Sequence, residues 1–236
     1  MFNPPDYSAQ KNFLHPKLGP WTVGLYIHRK KILNSLIKAT PYLKGKLLDV
    51  GCGNKPYQSI LSTDQYTGID VNVTLHQKDN VDVMFDGVNI PFDNDHFNSV
   101  LCTEVLEHCA DPVVLMKEIK RILKPGGCAF ITAPMFIEHH EVPYDMRRMT
   151  YYGMKNLAES NGMEIIMIED RGSFFAVLTS AVCMAVGQLI SRRPFSDIVN
   201  WILFPFLLLL IKIDWVRKKN PPVISLGWQM LVKKSV

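Results

Sequence analysis

Three carboxylates, Asp49, Asp70 and Asp86, stand at the ends of short apolar runs, and the first opens onto the turn Gly51-Cys52-Gly53. Asp70 follows Asp49 by 21 positions, the separation at which the acid ending a second strand can accept two hydrogen bonds from a ribose diol. A strand that runs into a glycine turn brings backbone N–H groups against a ligand, although tight turns also need glycine for their own sake. Asp86 and Gly87 precede the apolar turn Ile90, Pro91, Phe92, which suits a flat adenine with a carboxylate at its amino edge. Two histidines offer a second chemistry. His108 and His140 belong to a residue type that titrates near neutrality and can take a proton from a hydroxyl. His140 lies in EHHEVPYDMRRMT, where His139, Glu141, Tyr144, Asp145, Arg147 and Arg148 crowd together; loops this polar beyond a strand often face a substrate. The plainer readings stand beside these: His108 as a brace for its helix, Arg147 and Arg148 as solvated groups or partners of Asp145.

The elements that must position these residues are legible as short apolar runs separated by helical patterns: KLLDV, YTGID, VDVMF, SVLCT, CAFIT and MEIIMI, with a last strand around Trp228 to Val232. Strands of this length alternating with helices predict an α/β, doubly wound, mostly parallel seven-stranded sheet. Leu25 to Ala39 and Pro112 to Leu123 carry apolar residues at helical spacing, the second with LKPGG as a stop signal. In such a sheet, ligands bind beyond the carboxyl ends of the strands, which is where the acids lie.

Taken in order, LLDVGCG, YTGID, FDGVNIPFDNDHFNSVLCTEVLEHCADP and EIKRILKPGG resemble the Rossmann-like class I S-adenosylmethionine-dependent methyltransferases, type 11 branch, nearly continuously from Leu47 to Thr132. The resemblance implies that Asp49, Gly51, Cys52 and Gly53 surround the methionine part of the cofactor S-adenosylmethionine. By the same resemblance Asp70 and Val71 meet its ribose, Asp86 and Gly87 its adenine, while Thr103 and Glu104 lie beside it. HEVPYDMRRMT further resembles a subgroup associated with bacterial glycan and cell-envelope biosynthesis, which implies an acceptor side built from His140, Glu141, Tyr144, Asp145, Arg148 and Thr150, with His140 and His108 as the catalytic candidates. The family usually has glycine where this chain has Lys55; Lys55 then either points to solvent or pairs with the cofactor carboxylate, and Pro56 suits a first helical position.

The five cysteines fall singly, with no CxxC pair, and read as reduced thiols; no metal site is expected from their spacing. MFNPPDYSAQKNF lacks the basic segment and apolar core of a signal peptide, so a cytoplasmic chain is expected. From Arg171 onward nine Lys or Arg face only Asp197 and Asp214, whereas the first 170 residues carry 17 bases and 20 acids. That basic end is also apolar: Phe174 to Ile190 and Ile198 to Ile213 flank SRRPFSD. Both runs fall short of the roughly 20 residues of a spanning helix. With Arg192, Arg193, Arg217, Lys218 and Lys219 and with Trp201 and Trp215 at the ends, they predict a hairpin lying peripherally or monotopically in the inner leaflet; packing on the domain or forming an oligomer seam is the alternative. The expected organisation is a helical lead-in (1–44), a cofactor-binding core (45–172), the hairpin (173–219) and a returning strand (220–236). The expected activity is O-methylation of a glycan or lipid-linked acceptor at a membrane surface, with an isoprenoid quinone, a phospholipid headgroup or a non-catalytic scaffold as alternatives. Nothing in the basic residues suggests nucleic acid, since they lack interleaved exposed aromatics.

Overall fold

The computed structural model of the chain describes residues 10–72, 80–190, 193–216 and 222–235. Leu47 and Leu48 show how the sequence makes its layers. They are neighbours in strand β1 (Lys46–Val50), so they point to opposite faces. Leu47 packs under Ile32, Leu36 and Ala39 of helix α2 (Val23–Ala39), which follows the short helix α1 (Gln10–Leu14). Leu48 packs on the other face with Met116 and Ile119 of helix α3 (Pro112–Ile122) and Met154 and Leu157 of helix α4 (Tyr151–Ser160). Helix α3 starts where Asp111 accepts from the Val113 amide at 2.8 Å and Pro112 occupies the first turn.

All seven expected strands form one sheet. After β1 come β2 (Gln65–Val71), β3 (Val83–Phe85), β4 (Phe97–Thr103), β5 (Leu123–Pro134), β6 (Met163–Asp170) and β7 (Gly227–Lys234), in the spatial order β3-β2-β1-β4-β5-β7-β6. The neighbours from β3 to β5 are parallel, and β7 runs antiparallel to both β5 and β6. The doubly wound, mostly parallel expectation is therefore met.

One local expectation fails. Pro56 does not begin an α-helix: the connection from β1 to β2 holds only turns and a 3₁₀ segment, Gln58–Ile60. The buried Tyr57 takes over the covering role, packing edge-on to Phe13 with ring centroids 5.9 Å apart. LKPGG stops α3 as expected: the helix ends at Ile122 and strand β5 begins at Leu123, with Gly126 at φ +77° and a register shift opposite Phe97 and Ser99.

The apolar end forms a helical hairpin, α5 (Phe174–Leu189) and α6 (Arg193–Val216), between β6 and β7. Helix α6 begins earlier than the apolar run and continues through Pro205, so Phe195–Asp214 is long and apolar enough, by length and composition, to cross a membrane. Asp214 closes the hairpin: its Oδ1 accepts from the Ser173 amide and hydroxyl and the Ala176 amide, capping the start of α5. One side of α6 (Leu207, Leu210, Ile211) packs with Ala176 and Val177 of α5 and Val23 and Ile27 of α2. The opposite side leaves Phe195, Ile198, Trp201, Ile202, Phe206, Leu209 and Ile213 exposed at helical spacing. Arg192, Arg217, Lys218 and Lys219 lie outside the described residues.

Candidate active site

The carboxyl ends of β1, β2, β4 and β5 meet at one edge of the sheet, and the glycine turn there is tightly fitted. Gly51 has φ +67°, and a β-carbon on it would lie 2.4 Å from the Val105 side chain, so only glycine lets this turn approach the end of β4. Asp49 is buried beneath the turn and accepts from the Tyr66 hydroxyl at 2.5 Å. Burial raises its pKa to about 7, against the opposing hydrogen bond of Tyr66 and with the help of the Asp70 charge. A buried carboxylate held this far from its usual range is prepared for a cationic partner, such as the ammonium and sulfonium of S-adenosylmethionine. Asp70, also buried, accepts from the Gly53 amide at 3.0 Å and the Val71 amide at 2.7 Å, which fixes the second acid of the edge against the glycine turn and Cys52. These residues fit the cofactor.

Lys55 takes neither place expected of it. Its φ is +50°, the conformation that the family's glycine would adopt freely, and its ammonium reaches over β2 to Asp82 at 2.6 Å. The same Asp82 oxygen accepts from the Gly68 amide, and Gly68 leaves room for the Lys55 chain, whose Cε would lie 2.5 Å from an added β-carbon. Asp86 stands just beyond β3, beside Gly87 at φ +82°, and closes its own turn. It accepts from the Val88 and Asn89 amides and the Asn89 side chain, which lower its pKa. Ile90 and Phe92 do not form an open wall; both pack into the core, and Arg121 binds their carbonyls at 2.9 and 2.8 Å.

At the end of β4, Thr103 leads into Glu104 at φ +56°. Glu104 is engaged by three elements that sequence reading did not connect to it: Arg171 after β6, His28 of α2 at 2.9 Å, and Thr132 of β5 at 2.7 Å. The Arg171 charge, followed by the hydrogen bond from His28, holds its carboxylate well below the ordinary range in spite of burial.

Three residues further, Glu107 is fully buried and both carboxylate oxygens lack a hydrogen-bond partner. Burial, then the Glu104 charge, raises its pKa. His108 and His140 both present Nε2 to its Oε1 at 3.8 Å, beyond hydrogen-bond length, with their rings 5.0 Å apart and nearly perpendicular. Glu107 carboxylate attraction raises His140 to about 9. Glu141 comes within 3.9 Å of His108 Nε2, and the backbone carbonyl of Tyr144 faces His108 Nδ1 at 3.2 Å. Asp145 is gripped by Arg148 through both oxygens and accepts from the His140 amide, so its carboxylate lies far below its ordinary range. Thr150 caps α4, its hydroxyl accepting from the Gly153 amide at 3.0 Å. The structure brings His108, His140, Glu141 and Asp145 together, with the Tyr144 carbonyl against His108. Sequence reading missed Glu107, although that residue stands beside His108 in the same motif.

Residues 48–131 match the methyltransferase-domain family described as Methyltransf_11. Among curated proteins, the chain is 31% identical over 163 residues to a tRNA U34 carboxymethyltransferase of Campylobacter hominis, covering 59% of this chain and 57% of that protein. It is 28% identical over 100 residues to a ubiquinone biosynthesis O-methyltransferase of Yersinia pestis, covering 37% and 41%. The chain thus spans about half the length of these relatives. Among solved structures, the [4+2]-cyclase SpnF superposes with a TM-score of 0.54 at 22% identity, covering 88% of this chain and 82% of that one. An S-adenosylmethionine-dependent methyltransferase from Mesorhizobium loti superposes with a TM-score of 0.53 at 13% identity, covering 86% and 98%. At these identities the superpositions establish the fold.

Proposed function

Since the chain carries a class I methyltransferase domain, for which S-adenosylmethionine is the cofactor, we propose that it methylates a hydroxyl of a glycan or lipid-linked acceptor at the cytoplasmic face of a membrane. The cofactor supplies an activated methyl group on a sulfonium. Asp49, the Gly51 turn and Asp70 hold it at the sheet edge, and the loop from Glu138 to Arg148 faces the acceptor. That methyl group would pass from sulfur to the acceptor oxygen, and Glu107, His108 and His140 stand where the hydroxyl proton would leave.

The observation that carries the membrane part is topological. Strand β6 ends at Asp170, level with Ala133 of β5 across Trp228, and α5 starts four residues later. The hairpin therefore leaves the sheet at the same edge as the acid and glycine cluster, and its outer stripe is apolar. Such a stripe suits insertion among lipid chains next to an acceptor anchored there.

A quinone acceptor is the second reading, favoured by the similarity to the ubiquinone biosynthesis O-methyltransferase. Calorimetry with S-adenosylmethionine tests the first step: binding to the full chain that is lost in Asp70→Ala is expected. Assays of S-adenosylhomocysteine release with glycolipid extracts, quinone precursors and tRNA then separate the acceptors. Release with tRNA alone would overturn the membrane reading, and binding without release on any acceptor would leave a scaffold.

A further inference from the structure

We infer that Glu107, His108 and His140 form a binding site for one divalent transition-metal ion at the acceptor mouth. One ligand atom from each of the three residues lies within 4.8 Å of the other two, and each histidine Nε2 is 3.8 Å from Glu107 Oε1. These spacings are too long for hydrogen bonds. They suit three ligands around an ion about 2.0–2.2 Å from each after a slight inward shift.

The surroundings support the same conclusion. Glu107 is completely buried with neither oxygen hydrogen-bonded, a state that is costly unless something cationic completes it. Each histidine is oriented from behind. His108 Nδ1 faces the Tyr144 carbonyl at 3.2 Å, while His140 Nδ1 faces the Glu138 carbonyl at 3.3 Å and Asp145 Oδ2 at 3.4 Å. An oxygen against Nδ1 fixes the tautomer that leaves Nε2 free to ligate, the outer arrangement common to metal-bound histidines. Asp145 is itself locked by Arg148. Two imidazoles and one carboxylate favour a borderline ion such as zinc over magnesium or calcium, which prefer oxygen ligands. His140 remains partly exposed, so a fourth position opens toward the loop.

Cysteine spacing predicts no metal site, and this set is assembled from two separate segments of the chain. The ion's role rests on the methyltransferase reading: bound to the acceptor oxygen, it would make the hydroxyl more acidic and let its proton pass to water in place of the three side chains it occupies.

The test is metal uptake, which needs neither cofactor nor acceptor, so it can succeed or fail independently of methyl transfer. The full-length protein is dialysed with zinc, freed of excess and measured by plasma mass spectrometry, alongside Glu107→Gln, His140→Ala, Asp145→Asn and Cys183→Ser. One zinc per wild-type chain is expected. Affinity should drop by about tenfold or more in Glu107→Gln and His140→Ala, by about tenfold in Asp145→Asn, and not in Cys183→Ser. Near-ultraviolet circular dichroism confirms that the variants fold, and His140→Ala alters a partly exposed side chain should Glu107→Gln fail to do so. Absence of stoichiometric zinc in wild type, or equal uptake by Glu107→Gln and His140→Ala, would overturn the site. A cobalt spectrum with thiolate charge-transfer bands would overturn it as well.

Discussion

Arg171 Nη2 lies 2.5 Å from Glu104 Oε1, and Nη1 of the same guanidinium lies 2.7 Å from the other carboxylate oxygen. The pair joins the end of β4 to the residue from which the hairpin departs, and His28 of α2 contacts both partners. Removing one member of a buried pair leaves the other desolvated and uncompensated. Arg171 is fully buried, while Glu104 keeps 28% of its side chain accessible, which moderates the loss. Arg171→Ala should destabilise the protein by about 3 kcal/mol in urea unfolding; a loss below about 1 kcal/mol would mean water compensates Glu104 fully.

Asp49 gives a pH dependence with a definite sign. Its folded pKa is raised to about 7 from an ordinary value of 3.8, so the folded state holds the extra proton between those limits. Stability from this group is present below pH 4 and declines as pH rises to 7. Asp49→Asn should remove that decline and stabilise the cofactor-free protein at pH 8 by on the order of 2–4 kcal/mol. Cofactor binding at pH 6 should release a proton, detectable by calorimetry in buffers of different ionisation enthalpy.

At Lys55 the backbone, not the ammonium, decides the preference. With φ at +50°, Lys55→Gly should be more stable than Lys55→Ala by about 1 kcal/mol, since both lose the Asp82 contact and only alanine keeps the strain. Equal denaturant midpoints would show that the turn relaxes.

Thr150 separates a cap from an acceptor contact. Thr150→Ala should lower stability by about 1 kcal/mol, with Thr150→Ser close to wild type, and should leave the acceptor KM unchanged. A raised KM in the serine variant would return Thr150 to the acceptor side.

The outer stripe of α6 can be tested without turnover. Ile202→Glu combined with Leu209→Glu places charge on two exposed positions and should abolish co-sedimentation with phosphatidylglycerol vesicles while cofactor affinity is retained. Unchanged sedimentation would assign the stripe to protein contact.

Sequence carried the strands, their order of appearance and the acids at their ends, because alternation and strand-end chemistry are local signals. The cap at Thr150 is a local signal too, a threonine immediately before a helical run. The contacts that sequence withheld are long-range: Lys55 meets a residue 27 positions away, and Arg171 meets His28 across 143. No periodicity encodes such pairings. Glu107 was visible as a letter beside His108, but its complete burial and its two unsatisfied oxygens exist only once the loop carrying His140 and Met146 has closed against it.

The placement of the hairpin also constrains biosynthesis. Strand β7 follows α5 and α6 in chain order yet forms the ladders to both β5 and β6. A ribosome must therefore deliver the most water-averse stretch while β5 still has an open edge. Nascent chains at that stage carry two hazards at once, and early capture of the hairpin by lipid would relieve one of them before the sheet is sealed.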